Sequence, residues 1–216
     1  MKNKDLNQYR KLLVVVDMNK GFVEKGALAD PNIGQIVPAI TQLIDKFLTA
    51  GGRVIYANDA HNENSEEFKN YPVHCLDKTE EAEPIDALKG YVERGEATIC
   101  KKDSTNAMES DEFCKELQKI ESNLDEIVIV GCCTDICVLH LALSLQDYLD
   151  ERKSETKLIV PENAVDTFRG EVNGKNREER SHEALEWMKG AGVIVVPEYK
   201  QETDIDNEWE ESYPLS

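Results

Sequence analysis

Four separate stretches of this chain hold residues whose types suit chemistry. Cys137 lies in the run Gly131-Cys132-Cys133-Thr134-Asp135-Ile136-Cys137-Val138. A thiol placed where a strand gives way to a helix feels the positive end of the helix macrodipole, which favours the thiolate. Free backbone N–H groups at such a turn also suit a developing oxyanion. The plainer reading of Cys137 is a buried structural thiol, the commonest fate of free cysteine. Asp17 ends the apolar run Leu12–Val16. A carboxylate there needs a partner or serves as a cap. Lys101 and Lys102 close a third strand-like run; a lysine in such a place either snorkels to solvent or pairs with an anion. Together these groups can form an engine for nucleophilic catalysis. The carboxylate takes the thiol proton, and the lysine favours both anions and helps a leaving group depart.

The fourth stretch is Asp59-Ala60-His61. In extended backbone, residues i and i+2 point to one side, so these two side chains can share a metal ion. Glu66, Glu67 and His74 are within loop reach. Oxygen and imidazole donors without thiolate suit zinc, manganese or iron. The plainer reading here is an ordinary acidic loop.

The elements that must position these residues follow from hydrophobic pattern. Leu12–Val16 is a continuous apolar run, as in a strand buried on both faces. Ile36, Ile40, Leu43, Ile44, Phe47 and Leu48 follow helical spacing, and Gly51-Gly52 stops that helix. Further strands are predicted at Arg53–Ala57, Ala97–Lys102, Glu126–Val130, Lys157–Val160 and Val193–Val196. Helices are predicted from Ser110 to about Glu121, over Ile136–Asp150, and over Glu178–Lys189 with Gly190 as the stop. Strands alternating with helices imply right-handed crossovers. The predicted class is α/β: a three-layer α/β/α sandwich around a central six-stranded, mostly parallel sheet. Ligands of open parallel sheets bind beyond the carboxyl ends of the strands. Asp17, Asp59 with His61, Lys102 and Cys137 all fall on that rim.

Composition narrows the class of protein. The chain has 216 residues, which suits one α/β domain, read here as 1–200 followed by an acidic tail at 201–216. The net charge of −18 repels nucleic acid and anionic membrane, so neither is expected as a partner. There is no signal-peptide pattern and no run of about 20 apolar residues, so a cytoplasmic location is expected. The six cysteines include no Cys-x-x-Cys pair, which speaks against a zinc ribbon or a thioredoxin-type site. No Gly-x-Ser-x-Gly elbow or Gly-x-Gly-x-x-Gly loop is present, and Gly170–Asn176 reads as a plain loop.

Over about Leu12 to Val196 the chain resembles the isochorismatase-like cysteine hydrolases, most of all the nicotinamidases. Gly131-Cys-Cys-Thr-Asp-Ile-Cys137-Val is similar to that family's Gly-x-x-Thr-Asp-x-Cys-Val. Val-Val-Asp17-Met-Asn-Lys-Gly-Phe22 resembles Val-Asp-x-Gln-Asn-Asp-Phe, and Lys102-Asp-Ser-Thr-Asn-Ala-Met resembles Lys-x-x-x-Ser-Ala-Phe. Asp59-Ala-His61 is similar to Asp-Trp-His, and Tyr71-Pro-Val-His74-Cys75 to Trp-Pro-x-His-Cys. The resemblance implies a catalytic triad of Asp17, Lys102 and Cys137. It also implies a cis Cys132–Cys133 peptide that aims the N–H groups of Cys133 and Cys137 into an oxyanion hole. Phe22 and Tyr71 become pocket walls. Asp59, His61 and His74 become ligands of one divalent ion, zinc with manganese or iron as alternatives, and Glu67 stands where the remaining ligand is expected. The implied activity is hydrolysis of nicotinamide to nicotinate and ammonia through a thioester, in NAD salvage, by a homo-oligomer. Ala60 replaces a bulky aromatic, and Lys78-Thr-Glu-Glu81 replaces Gly-Thr-x-Gly, so another small amide or a carbamoyl compound is the alternative substrate. A different class of reading is a non-catalytic binding or redox-responsive protein built on Cys132, Cys133 and Cys137; Asp17 and Lys102 serve no purpose in such a sensor.

Overall fold

The computed structural model describes residues 9–200, so the acidic tail expected at 201–216 lies outside the described residues. The strands are β1 (Lys11–Val16), β2 (Arg53–Asp59), β3 (Ala97–Lys102), β4 (Glu126–Cys132), β5 (Lys157–Pro161), β6 (Val165–Asp166) and β7 (Ile194–Val196). The helices are α1 (Lys20–Val23), α2 (Val37–Thr49), α3 (Asp86–Glu93), α4 (Asp111–Gln118), α5 (Leu139–Glu151) and α6 (Arg177–Gly190). The sheet runs β3-β2-β1-β4-β5-β7, and its ladders are parallel. All six predicted strands are present. The seventh, β6, has two residues and pairs with the upper end of β4, which β5 leaves uncovered after pairing with Glu126–Val128. A two-residue strand is too short to leave a periodic signal.

Side chains of β1 alternate between two cores. Leu12, Val14 and Val16 pack with Phe113, Leu117, Leu141, Leu145 and Met188 from α4, α5 and α6. Leu13 and Val15 pack with Ile40, Ile44, Phe47 and Leu88 from α2 and α3. Each layer of helices therefore covers one face of a sheet whose central strand is buried throughout, and the sandwich follows. Helix starts are set by side-chain caps. Ser110 Oγ accepts from the Phe113 N–H at 3.3 Å, and Asn176 with Glu179 forms a reciprocal capping box. The predicted stop at Gly190 is displaced: Gly190 is the last residue of α6, and the left-handed turn falls at Gly192, φ +100°. Among the described residues no helix is long and apolar enough to cross a membrane.

Sequence order reverses between β1 and β4. The chain runs outward from β1 to β2 and β3, then returns to lay β4 on the other side of β1. A crevice opens at such a switch point, beyond the carboxyl ends of the two strands. Close approach there needs Gly131. It sits opposite Val16 at φ +112°, and a Cβ would lie 2.1 Å from the Val16 carbonyl oxygen.

Candidate active site

Asp17 follows β1 directly, at φ 48°, and its backbone N–H donates to the Ala57 carbonyl at 3.0 Å. This turn sends the carboxylate across the switch point. Cys137 arrives from β4 through a π-helical turn, Thr134–Val138, that precedes α5. The Cys133 carbonyl accepts from the N–H groups of Ile136 and Val138 at 3.1 Å each, which closes the turn around the thiol. The Cys132–Cys133 peptide is cis. Lys102, the last residue of β3, reaches over β2 to Asp17. Its Nζ lies 2.7 Å from Asp17 Oδ2, donates to Asp59 Oδ1, and donates to the Ser104 carbonyl at 3.1 Å. Carboxylate oxygens of Asp17 and Asp59 and the Cys137 sulfur lie within 4.8 Å of one another. All four side chains are buried.

Electrostatics divide their roles. Burial pushes the Asp17 carboxyl up to about 6; the Asp59 charge adds to this, and Lys102 opposes it. Burial also pushes the Cys137 thiol well up from its ordinary value, with Lys102 the largest opposing influence. The sequence led us to expect a helix terminus that eases the thiol toward thiolate. Instead the sulfur sits inside a buried turn, where desolvation of the anion dominates. Burial therefore favours the protonated thiol, and Asp17 is the carboxylate beside it.

The second cluster adjoins the first through Asp59, whose Oδ1 faces Lys102 and whose Oδ2 faces two histidines. Oδ2 lies 3.3 Å from His61 Nε2 and 3.7 Å from His74 Nε2, and the two Nε2 atoms are 3.2 Å apart. Glu67 offers a carboxylate oxygen within 4.8 Å of these three atoms. Glu66 instead points to solvent and pairs with Lys69. The ring tautomers follow from their other partners. His61 Nδ1 faces Asp103 Oδ1 at 2.8 Å, and His74 Nδ1 faces the Pro72 carbonyl at 2.8 Å. A carboxylate and a carbonyl only accept, so each Nδ1 carries its hydrogen and each neutral ring turns its Nε2 lone pair inward. Asp59 Oδ2 is buried and has no hydrogen-bond donor. Converging acceptors of this kind can hold a cation between them, and two imidazoles with two carboxylates suit zinc, manganese or iron. With no ion between them, the same excess of acceptors instead favours a proton on the imidazole. Burial depresses His61, but Asp59 and then Asp103 outweigh it and hold the ring up at about 9.

Aromatic rings gather over this cluster. Phe22, buried on α1, stands edge-on to His74 at 5.4 Å between ring centres. The Tyr71 ring is 6.4 Å from His74. Burial, then the charges of Cys137 and Glu67, raise the Tyr71 phenol, which places it within electrostatic reach of both clusters. Phe68 lies 5.3 Å from His61 and 5.7 Å from His74. Sequence reading missed Phe68 and Asp103. Phe68 sits in a short 3-10 turn, Glu66–Lys69, with no periodic pattern. Asp103 had one usable signal, its position next to Lys102 on the rim.

The chain matches the Isochorismatase domain family over residues 11–197 and belongs to that family. It is 30% identical to Nicotinamidase 1 of Arabidopsis thaliana over 219 residues, covering 88% of this chain and 87% of the relative. Among solved structures it is similar to nicotinamidase PncA of Bacillus subtilis, with TM-score 0.71, 27% identity, and coverage of 87% of this chain and 99% of that one. Pyrazinamidase of Pyrococcus horikoshii, solved in complex with zinc, matches with TM-score 0.67, 27% identity, and coverage of 87% and 98%.

Proposed function

We propose that this protein is a cysteine-dependent amidohydrolase that converts nicotinamide to nicotinate and ammonia. The observation that carries the reading is the shared carboxylate Asp59, which joins a thiol–carboxylate–lysine cluster to an acceptor-lined cation site beneath aromatic rings. The nicotinamidases and the zinc-bound pyrazinamidase among its relatives support it.

In this reading Asp17 takes the Cys137 proton as the sulfur attacks the amide carbon. The N–H groups of Cys133 and Cys137 hold the oxyanion of the tetrahedral adduct. Asp17 returns the proton to the amide nitrogen, the C–N bond breaks, and ammonia leaves a thioester on Cys137. Asp17 then takes a proton from water, the hydroxide adds to the thioester, and the acid departs as the thiol is restored. Lys102 holds Asp17 in place and favours its ionised form. Asp59, His61, Glu67 and His74 would hold the divalent ion, which supplies an electrophilic anchor for a ring nitrogen. Phe22 and Tyr71 would flank the ring.

One feature favours a different amide. Ala60 stands where the resembled Asp-Trp-His motif has a bulky aromatic, so the substrate side of this loop differs in size from that motif. Ammonia release with nicotinamide, pyrazinamide and benzamide decides between them. The first two carry a ring nitrogen meta to the carboxamide, and benzamide does not. We expect kcat/KM for benzamide to be lower by at least about 100-fold, because a site built for a polar contact rejects an analogue lacking it. Equal rates for benzamide and nicotinamide, or no release from any of the three, would overturn the nicotinamide assignment.

A further inference from the structure

The two histidines of the cation site are held by different partners. His74 Nδ1 meets a neutral acceptor, the Pro72 carbonyl, at 2.8 Å. His61 Nδ1 meets a carboxylate, Asp103 Oδ1, at 2.8 Å. The His61 side chain is fully buried, whereas that of Asp103 is 41% exposed. Asp103 is itself fixed, since its second oxygen accepts from Asn62 Nδ2. It directly follows Lys102, so consecutive residues at the end of β3 serve the two clusters. Lys102 holds Asp17 and Asp59, and Asp103 holds His61.

We infer that Asp103 is a positioning residue for the cation site, one that sets the affinity of the site for its metal through His61. A carboxylate behind an imidazole does two things that a carbonyl does less strongly. It locks the tautomer and ring plane, and it increases the electron density that the far nitrogen donates. Ser65 Oγ also approaches His61 Nδ1, at 3.4 Å, but a hydroxyl carries no charge and lies farther away. Asp103 touches neither Cys137 nor Asp17 in this geometry, so its influence is confined to the metal half of the site. The inference rests on the cation site of the preceding section but not on the identity of the amide.

The experiment measures metal affinity without substrate. Chelator-stripped wild type, Asp103→Asn, Asp103→Ala and Asp103→Glu are titrated with zinc, and separately with manganese, against a competing chromophoric chelator. Iodoacetamide labelling of Cys137 and the melting temperature of the stripped proteins are followed in parallel. We expect Asp103→Asn and Asp103→Ala to bind both metals at least about tenfold more weakly. Asp103→Glu should recover most of the loss, and labelling and melting of the stripped proteins should stay at wild-type values. Wild-type affinity in both Asn and Ala variants overturns the inference. So does a loss accompanied by altered labelling or melting, which marks a structural role. Wild type that binds neither metal overturns it together with the cation site. Because no turnover is read, failure of nicotinamide as substrate leaves these outcomes distinct.

Discussion

Asp17 is placed where a carboxylate can be both base and liability. Its carboxyl is pushed up to about 6, chiefly by burial. A folded-state value above the unfolded one means that its stabilising contribution is full below the unfolded value, near 4, and is lost as pH rises through about 6. The ionised, reactive form is therefore the form that folding disfavours. Turnover has the opposite sense: it needs the ionised form and should fall about tenfold per pH unit below the acid limb. A divalent ion beside Asp59 would offset the Asp59 contribution, so we expect the limb of kcat/KM at or below about pH 6. A limb above pH 7 takes the role of base away from Asp17. Cys137→Ala should lower turnover by at least about 1,000-fold with an unchanged fold, because no other sulfur replaces it. Cys132→Ala is the contrasting case. Its sulfur is buried against the Asp17 carbonyl at 3.0 Å, so that variant should keep measurable turnover. Near-normal ammonia release by Cys137→Ala would sink the mechanism. Asp17, the Lys101–Lys102 pair and Cys137 were legible as rim residues because each stands at a strand end or in the turn after one, while the choice of Lys102 over Lys101 and the grouping as a triad came from the resemblance to the family motifs. Asp103 and Phe68 were not, because their partners are set by the path of the 61–74 loop, which carries no period.

At the scale of elements, the site depends on β1 and β4 lying close enough for the switch point to form. Gly131 makes that approach possible, with φ +112° and the Val16 carbonyl 2.1 Å from where a Cβ would stand. The atoms that the Cβ would meet are all backbone of Val16 on the central strand, so they cannot swing away. Gly131→Ala should cost roughly 3 kcal/mol or more, from strain and overpacking together. Gly51→Ala is the matched control, since its φ is +74° and nothing lies within 4 Å of the added methyl. It should cost about 1 kcal/mol, as ordinary left-handed strain does. Denaturant midpoints of the two variants test this, and equal midpoints would show that the β1–β4 contact yields to an added methyl. Strands and long helices were readable from pattern because each buries a continuous stripe or run. Helix α3 was not. Asp86–Glu93 buries only Leu88 and Tyr91, carries Gly90, and lies among acidic residues, so its pattern matches that of a loop.

Over the whole molecule, charge is distributed so that the cation site completes the interior. Asp17, Asp59 and Lys102 are buried together, and Glu67 borders them. Three carboxylates face one ammonium, which leaves two negative charges in and around the core. Uncompensated buried charge is destabilising, and a divalent ion held by Asp59 and Glu67 would balance it. The net charge of −18 adds a long-range field that draws cations toward the protein, and that field is screened by salt. Metal binding should therefore be read out as stability of the entire fold. An ion that binds only the folded state adds about 2.7 kcal/mol at 100 times its dissociation constant. For a chain of this length that raises the melting temperature by about 5–10 °C. Stripping the protein with chelator should lower it by the same amount, and zinc or manganese, but not magnesium, should restore it, since two imidazoles suit zinc, the two carboxylates admit manganese, and magnesium gives up its waters reluctantly. His61→Ala should abolish the restoration. Melting curves that coincide with and without chelator would show that the acceptors around Asp59 hold no ion, and that a proton on His61 offsets only part of the buried charge.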